Sequence, residues 1–278
     1  MKHILIPTDF SVNSWNAIKY ATCLFNYDQC TFYILHVDDL SNSDINGNSI
    51  LVMPSSQKNS AQEKLDRLFR QITQLTSNKS HRFIALRDYG NFIDVVKKTV
   101  KEKKIDLIVM GTKGASSLKA TIFGSNTSSV ITKVPCNVLA IPENTEIKRP
   151  NKIGFPTDFN LFYTYPILNS LTEILQISNA TLDVVYITQS IPNFTNSQLI
   201  NQVYLYEYLK EIFTDSHNFK NIQGTDVRET ILNYITENRV EMLTLVAKNL
   251  NLFQQLFFNN PIEQLSYHIS VPLLVMHE

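Results

Sequence analysis

The tetrapeptide Pro7-Thr8-Asp9-Phe10 returns unchanged as Pro156-Thr157-Asp158-Phe159, and each copy closes a short apolar run that opens near Lys2 or Lys152. Two further stretches repeat in the same order: Ile105–Met110 matches Val240–Leu245, and Val134–Leu139 matches Val271–Met276. Matches at the start, middle and end of each half mark a tandem duplication, so the chain has to fold as two versions of one unit. The seam is the polar stretch Pro142–Pro150, with proline at both ends. Expected domains are therefore 1–143 and 151–278. A chain of 278 residues suits two units of roughly 100–150 residues each.

Within the first unit, short β-branched apolar runs alternate with amphipathic stretches, the pattern of βαβ units and a parallel sheet. Strands are expected at His3–Pro7, Thr31–Val37, Arg82–Arg87, Ile105–Met110 and Asn137–Ile141, with helices at 13–26, 60–77, 92–103 and 124–132. The third helix is the clearest, because Asp94, Val95, Val96, Thr99 and Val100 show the i, i+3, i+4 spacing while Lys97, Lys98 and Lys101 face water. Asp38–Asn59 is rich in Ser, Asn and Asp and is either a lid or a solvated insertion.

Lys plus Arg and Asp plus Glu both number 25, so the whole chain has no net field to gather nucleic acid or an anionic membrane. The halves differ: residues 1–143 carry 17 basic and 12 acidic side chains, and 144–278 carry 8 and 13. That asymmetry suits either an anionic small ligand on the first half or two halves that dock by charge. Cys23, Cys30 and Cys136 are too few and too irregular for a disulfide framework or a zinc site. The apolar run before Asp9 is too short for a secretory leader, and no run reaches the roughly 18 residues of a membrane span. A cytoplasmic protein is expected.

Glycine is scarce in the first half, yet Gly111, Gly114 and Gly124 stand in the spacing G-x2-G-x9-G-S, after one expected strand and leading into a helix. Glycines let the backbone approach an anion, and a helix N-terminus presents unpaired N–H groups to a phosphate. Ser125 and Thr127 can add hydroxyls, and Lys113 a positive charge. Ligands of such sheets sit beyond the carboxyl ends of the strands, where strand order reverses. Asp9, at the end of the first strand, would face the glycine loop if the first and fourth strands are neighbours. Its carboxylate would then bind a ribose hydroxyl or Mg²⁺, or else simply cap the helix opening near Ser11.

The opening ILIPTDFS, the second-strand ILHV ending at Val37, DLIVMGTKG with G-x9-GS, and the closing VPCNVLAIP together resemble the universal stress protein family. The resemblance spans the first half and, through the repeat, implies its tandem two-domain form. It implies an α/β fold of two Rossmann-like domains of the adenine nucleotide alpha hydrolase type, each a five-stranded parallel sheet in order 3-2-1-4-5 with helices on both faces. It further implies ATP or another adenine nucleotide as ligand. Pro7, Thr8, Asp9 and the Val37 backbone would meet adenine and ribose beside Met110 and Gly111. Lys113, Gly114, Gly124, Ser125, Asn126 and Thr127 would surround the phosphates, with Mg²⁺ reached from Asp9. Final strands Val138–Ile141 and Leu273–His277 would pair as an internal pseudo-dimer, and further homodimerisation is compatible with the family.

The second half places Val246, Asn249, Asn259 and Asn260 where the first has Gly111, Gly114, Gly124 and Ser125, with Phe253, Phe257 and Phe258 between them. Side chains there block a close backbone approach, so this repeat is expected to be degenerate. No GxxxxGK[ST] occurs, and Ser116-Ser117-Leu118-Lys119 is a chance SxxK. His3 and His36 are expected as satisfied strand residues, and Tyr204, Tyr206 and Tyr208 as packing against the companion repeat. The expected function is an adenine-nucleotide-binding stress-response sensor acting on an unidentified protein partner, with at most slow ATP hydrolysis. A nucleotide-independent scaffold or small-ligand carrier is the alternative.

Overall fold

The computed structural model describes residues 1–38, 55–75, 78–112, 124–189, 192–213, 216–249 and 269–278, with 55–60 described by backbone only. The first half runs β1 (Lys2–Pro7), α1 (Val12–Leu24), β2 (Cys30–Asp38), α2 (Ser55–Ile72), β3 (His81–Tyr89), α3 (Phe92–Lys103), β4 (Leu107–Gly111), α4 (Ser125–Lys133) and β5 (Asn137–Ile141). The second runs β6 (Lys152–Pro156), α5 (Tyr165–Ser178), β7 (Thr181–Thr188), α6 (Asn196–Ile212), β8 (His217–Gln223), α7 (Val227–Asn238), β9 (Met242–Val246) and β10 (Leu273–Met276). Each expected strand and helix of the first half is present within a few residues of its expected ends. The Asp38–Asn59 stretch differs: Asp38 ends β2, Ser55–Asn59 open α2, and 39–54 lie outside the described residues.

All ten strands form one sheet in the order β3-β2-β1-β4-β5-β10-β9-β6-β7-β8. Each half is parallel, as the βαβ pattern implies, and ordered 3-2-1-4-5, as the family resemblance implies. The halves join where β5 and β10 pair antiparallel, Leu273 opposite Ala140 and Val275 opposite Val138. One apolar layer runs across both halves on each sheet face, the first holding Ile4, Ile6, Phe155 and Leu182, the second Leu5, Ile108, Leu243 and Val275. Successive strand residues point to opposite faces, so nearly continuous apolar strands supply both layers. Among the described residues the halves meet electrostatically in one direct ion pair, Lys2 with Glu173 at 2.5 Å, so the apolar seam rather than opposite charge carries the joint. Asn137 secures the seam by donating to Ser170 Oγ and accepting from the His277 amide.

Candidate functional site

The repeated tetrapeptide is a specific turn. In both halves the Thr hydroxyl oxygen accepts the amide of the Phe two residues on, at 3.1 Å in each case. Asp9 Oδ1 accepts the Ser11 amide, and Asp158 Oδ1 accepts the Asn160 amide. Phe10 and Phe159 lie in the left-handed region at φ 63° and 55°, which β-strand exits of this shape require and few side chains adopt. The turn thus explains why the four residues are kept twice. Ser11, not Asp9, caps α1, its side chain accepting the Ser14 amide, while the exposed Asp9 shapes the turn ahead of it.

β1 and β4 are neighbours, with Ile4 opposite Leu107, so the Pro7–Asp9 turn and Met110–Gly111 leave the sheet side by side where strand order reverses. Thr8 is buried, its hydroxyl shared with Ser14 Oγ at 3.0 Å. Met110 is buried in β4, and Val37 packs partly buried at the end of β2. A Cβ on Gly111 would sit 2.7 Å from Asn13 Cγ and 3.0 Å from its carbonyl oxygen, so glycine is needed there for α1 to pack on β4.

Gly124 is the N-cap of α4 and supplies no side-chain cap bond; its own amide donates to the Thr112 carbonyl at 2.5 Å. Among the described residues, no side chain caps the first amides of α4, led by Ser125 and Asn126 on the exposed side. Thr127 is buried, and its hydroxyl donates to the Gly111 carbonyl at 2.8 Å, tying α4 to the end of β4. Lys113 and Gly114 lie outside the described residues, as do Phe253, Phe257, Phe258, Asn259 and Asn260 of the second half.

Beside the turn stands a polar chain that sequence patterning does not single out. His36 Nδ1 lies 2.9 Å from the Thr8 carbonyl oxygen and therefore carries the proton, and its Nε2 is 3.5 Å from Asp38 Oδ1. Arg87 Nε donates to Asp38 Oδ2 at 2.6 Å. The bond to Asp38 holds the guanidinium above its ordinary range against the opposing effect of burial. The β2–β3 register, which sets His36 opposite Arg87, is the signal that brings these residues together. His36 also packs on Phe10, ring centroids 4.5 Å apart; in the second half Tyr186 occupies that place against Phe159. His3 is satisfied as expected, with Nδ1 3.1 Å from the Tyr33 hydroxyl. Burial pushes the Cys30 and Cys136 thiols up to about 12, which leaves them poor nucleophiles.

In the second half, the β6–β9 register sets Ile153 opposite Met242, as Ile4 stands opposite Leu107, and so puts Val246 at the place of Gly111, with Asn249 matching Gly114 in sequence. The crevice is filled from within: Asn249 Nδ2 donates to Asp158 Oδ1, Gln198 to the Asp158 carbonyl and Asn201 to the Phe159 carbonyl. Among the described residues, the tyrosines of α6 pack within their own half rather than on the first. Tyr208 bonds Thr172, Tyr206 lies against His217 and Phe219, and Tyr204 stacks on Phe162.

Residues 1–142 match the family model described as the Universal stress protein family. A universal stress protein of Methanocaldococcus jannaschii is 28% identical over 154 residues, covering 50% of this chain and 94% of that protein. Over nearly its full length the fold is similar to a universal stress protein of Archaeoglobus fulgidus, with 14% identity, 99% and 96% of the two chains covered and a TM-score of 0.70. A Pseudomonas aeruginosa protein described as functionally unknown gives 15% identity over 99% and 92%, at a TM-score of 0.60. The tandem fold, the twice-kept turn and the match across the whole first half lead to one conclusion: this chain belongs to the universal stress protein family.

Proposed function

We propose that the first half binds an adenine nucleotide, ATP, and that the bound nucleotide regulates capture of a protein partner with little or no catalysis. The observation that carries this reading is the N-terminus of α4, glycine-capped and without a capping side chain among the described residues, at the strand-order reversal between β1 and β4. Such an end offers N–H donors and a positive dipole to phosphates. In this reading Gly124, Ser125, Asn126 and Thr127 meet the phosphates chiefly through backbone amides, since the Thr127 hydroxyl is engaged with Gly111. Lys113 and Gly114 complete that loop. Pro7, Thr8, Asp9, Val37, Met110 and Gly111 border adenine and ribose. Asp9 offers one exposed carboxylate, which suits Mg²⁺ carried in on the nucleotide rather than a resident ion.

Two observations favour a second reading. The turn at Pro156–Phe159 persists without the glycines, and Gly111 is required by Asn13, so neither feature needs a ligand. A nucleotide-independent scaffold or small-ligand carrier would keep both. Thermal unfolding with millimolar Mg-ATP, AMP and GTP separates the readings. At about 100 times its dissociation constant a ligand adds roughly 2.7 kcal/mol to the unit that binds it. An adenine-selective rise that Gly124→Arg removes supports the nucleotide site; no rise with any of the three supports the scaffold.

A further inference from the structure

Helices α2 and α6 occupy the same place in the two halves, each leading into the outermost strand of its half. Their outward faces are opposite in character. α2 turns Glu63, Lys64, Asp66, Arg67 and Arg70 to water, with no large apolar side chain exposed from Ala61 to Ile72. α6 buries Asn201, Leu205 and Leu209 and turns Leu199 (44% exposed), Ile200 (65%), Val203 (57%) and Tyr204 (40%) outward. Phe162, 55% exposed, stacks on Tyr204 with ring centroids 4.9 Å apart and extends the patch onto the loop before α5. Because the same fold tolerates a charged helix at this place, the fold itself does not demand the apolar one.

We propose that this face of α6, with Phe162, is the contact between two copies of the chain, the helices packed antiparallel about a two-fold axis near Val203. A two-fold contact must be self-complementary, so it excludes a face whose charges would meet their own kind. The charged residues of α6, Glu207, Lys210 and Glu211, all lie in its C-terminal half. Antiparallel packing sets them against the uncharged first turns of the other copy, whose dipole end favours the carboxylates. With half or so of each exposed, Phe162, Tyr204 and the three aliphatics leave on the order of 400 Å² of apolar surface per copy. That is a sufficient centre for a standard interface of about 800 Å² per partner, with polar residues at the rim. The balanced charge of the whole chain adds no net repulsion between copies. An anionic membrane surface would want several basic side chains around the stripe, and Lys210 is the one basic residue of α6.

Sedimentation velocity of the full chain from about 1 to 200 μM is the direct test. A monomer–dimer equilibrium is expected, and Val203→Glu should weaken it at least about tenfold by placing like charges across the axis. The melting temperature of that variant at low concentration should match the native chain, because the side chain is exposed. Val203→Cys should form a disulfide-linked dimer on mild oxidation, with the native chain as control for Cys23, and it decides the matter should Val203→Glu fail to fold. A native chain that stays monomeric over the whole range, a dimer unmoved by Val203→Glu, or no crosslink through Val203→Cys overturns the proposal.

Discussion

The side-chain amide of Asn249 donates to Oδ1 of Asp158, the counterpart of Asp9, at 2.9 Å across the crevice of the second half. Together with Gln198 and Asn201, this asparagine lets the second half occupy its own strand ends. Asn249→Gly removes that bond and adds backbone freedom, and should cost about 1–2 kcal/mol in urea denaturation. Any stabilisation by ATP should be unchanged, since the first half is untouched. A loss of ATP response in this variant would mean that the two crevices are coupled.

Gly111 marks the opposite case, where glycine is needed for packing. Gly111→Ala should lower stability by about 1–3 kcal/mol, because the new methyl meets both the side chain and the carbonyl of Asn13. Asn13→Ser in the same chain should restore only part of the loss, as the carbonyl contact remains. Full rescue, read from melting temperatures, would show that the side chain alone sets the limit.

Thr127 tests whether its hydroxyl serves the fold or a ligand. The bond to the Gly111 carbonyl predicts that Thr127→Val, of nearly equal shape, loses about 1–2 kcal/mol without ligand present. A variant of native stability with weakened ATP binding by calorimetry would assign the hydroxyl to the phosphates instead.

Asp183 is fully buried on β7 and accepts hydrogen bonds from Tyr234, Lys220 and Asn218, with Lys152 Nζ 3.7 Å away. Burial pushes its carboxyl up, but the three hydrogen bonds and the Lys220 charge outweigh that and hold it below the usual carboxylate range. A depressed folded value means stability that is present above the unfolded value of about 3.9 and lost as pH falls through the folded one. Stability should therefore drop on acidification below about pH 5. Asp183→Asn should cost about 2–3 kcal/mol at pH 7 by removing the charged acceptor of Lys220 and Tyr234, and should flatten the acid limb of the stability profile. An acid limb unchanged in Asp183→Asn would move its origin to other carboxylates.

Much of this molecule is legible in local pattern. The repeated Pro-Thr-Asp-Phe turn, the alternation of apolar runs with amphipathic stretches and the crowding of Gly111, Gly114 and Gly124 fix the duplication, the parallel βαβ plan of each half and the candidate strand ends, while the strand order comes from the family resemblance. Those features depend on backbone preferences and on period, which neighbouring residues carry among themselves. The Asp183 cluster joins positions 183, 218, 220 and 234, and the Asp38–Arg87 pair joins β2 to β3; their register, not any motif, brings them within reach. Whether Gly111 makes room for a ligand or for Asn13, and whether Thr127 faces a phosphate or a carbonyl, depends on how α1 and α4 seat against β4. The outward apolar face of α6 is equally a product of seating, since a helix apolar on most sides does not declare which side the sheet will cover. Sequence by itself determined the plan of two like units, because that plan is written in local spacing. Tertiary structure alone decided which side chains each unit spends on itself, because those contacts form only when distant segments are packed together.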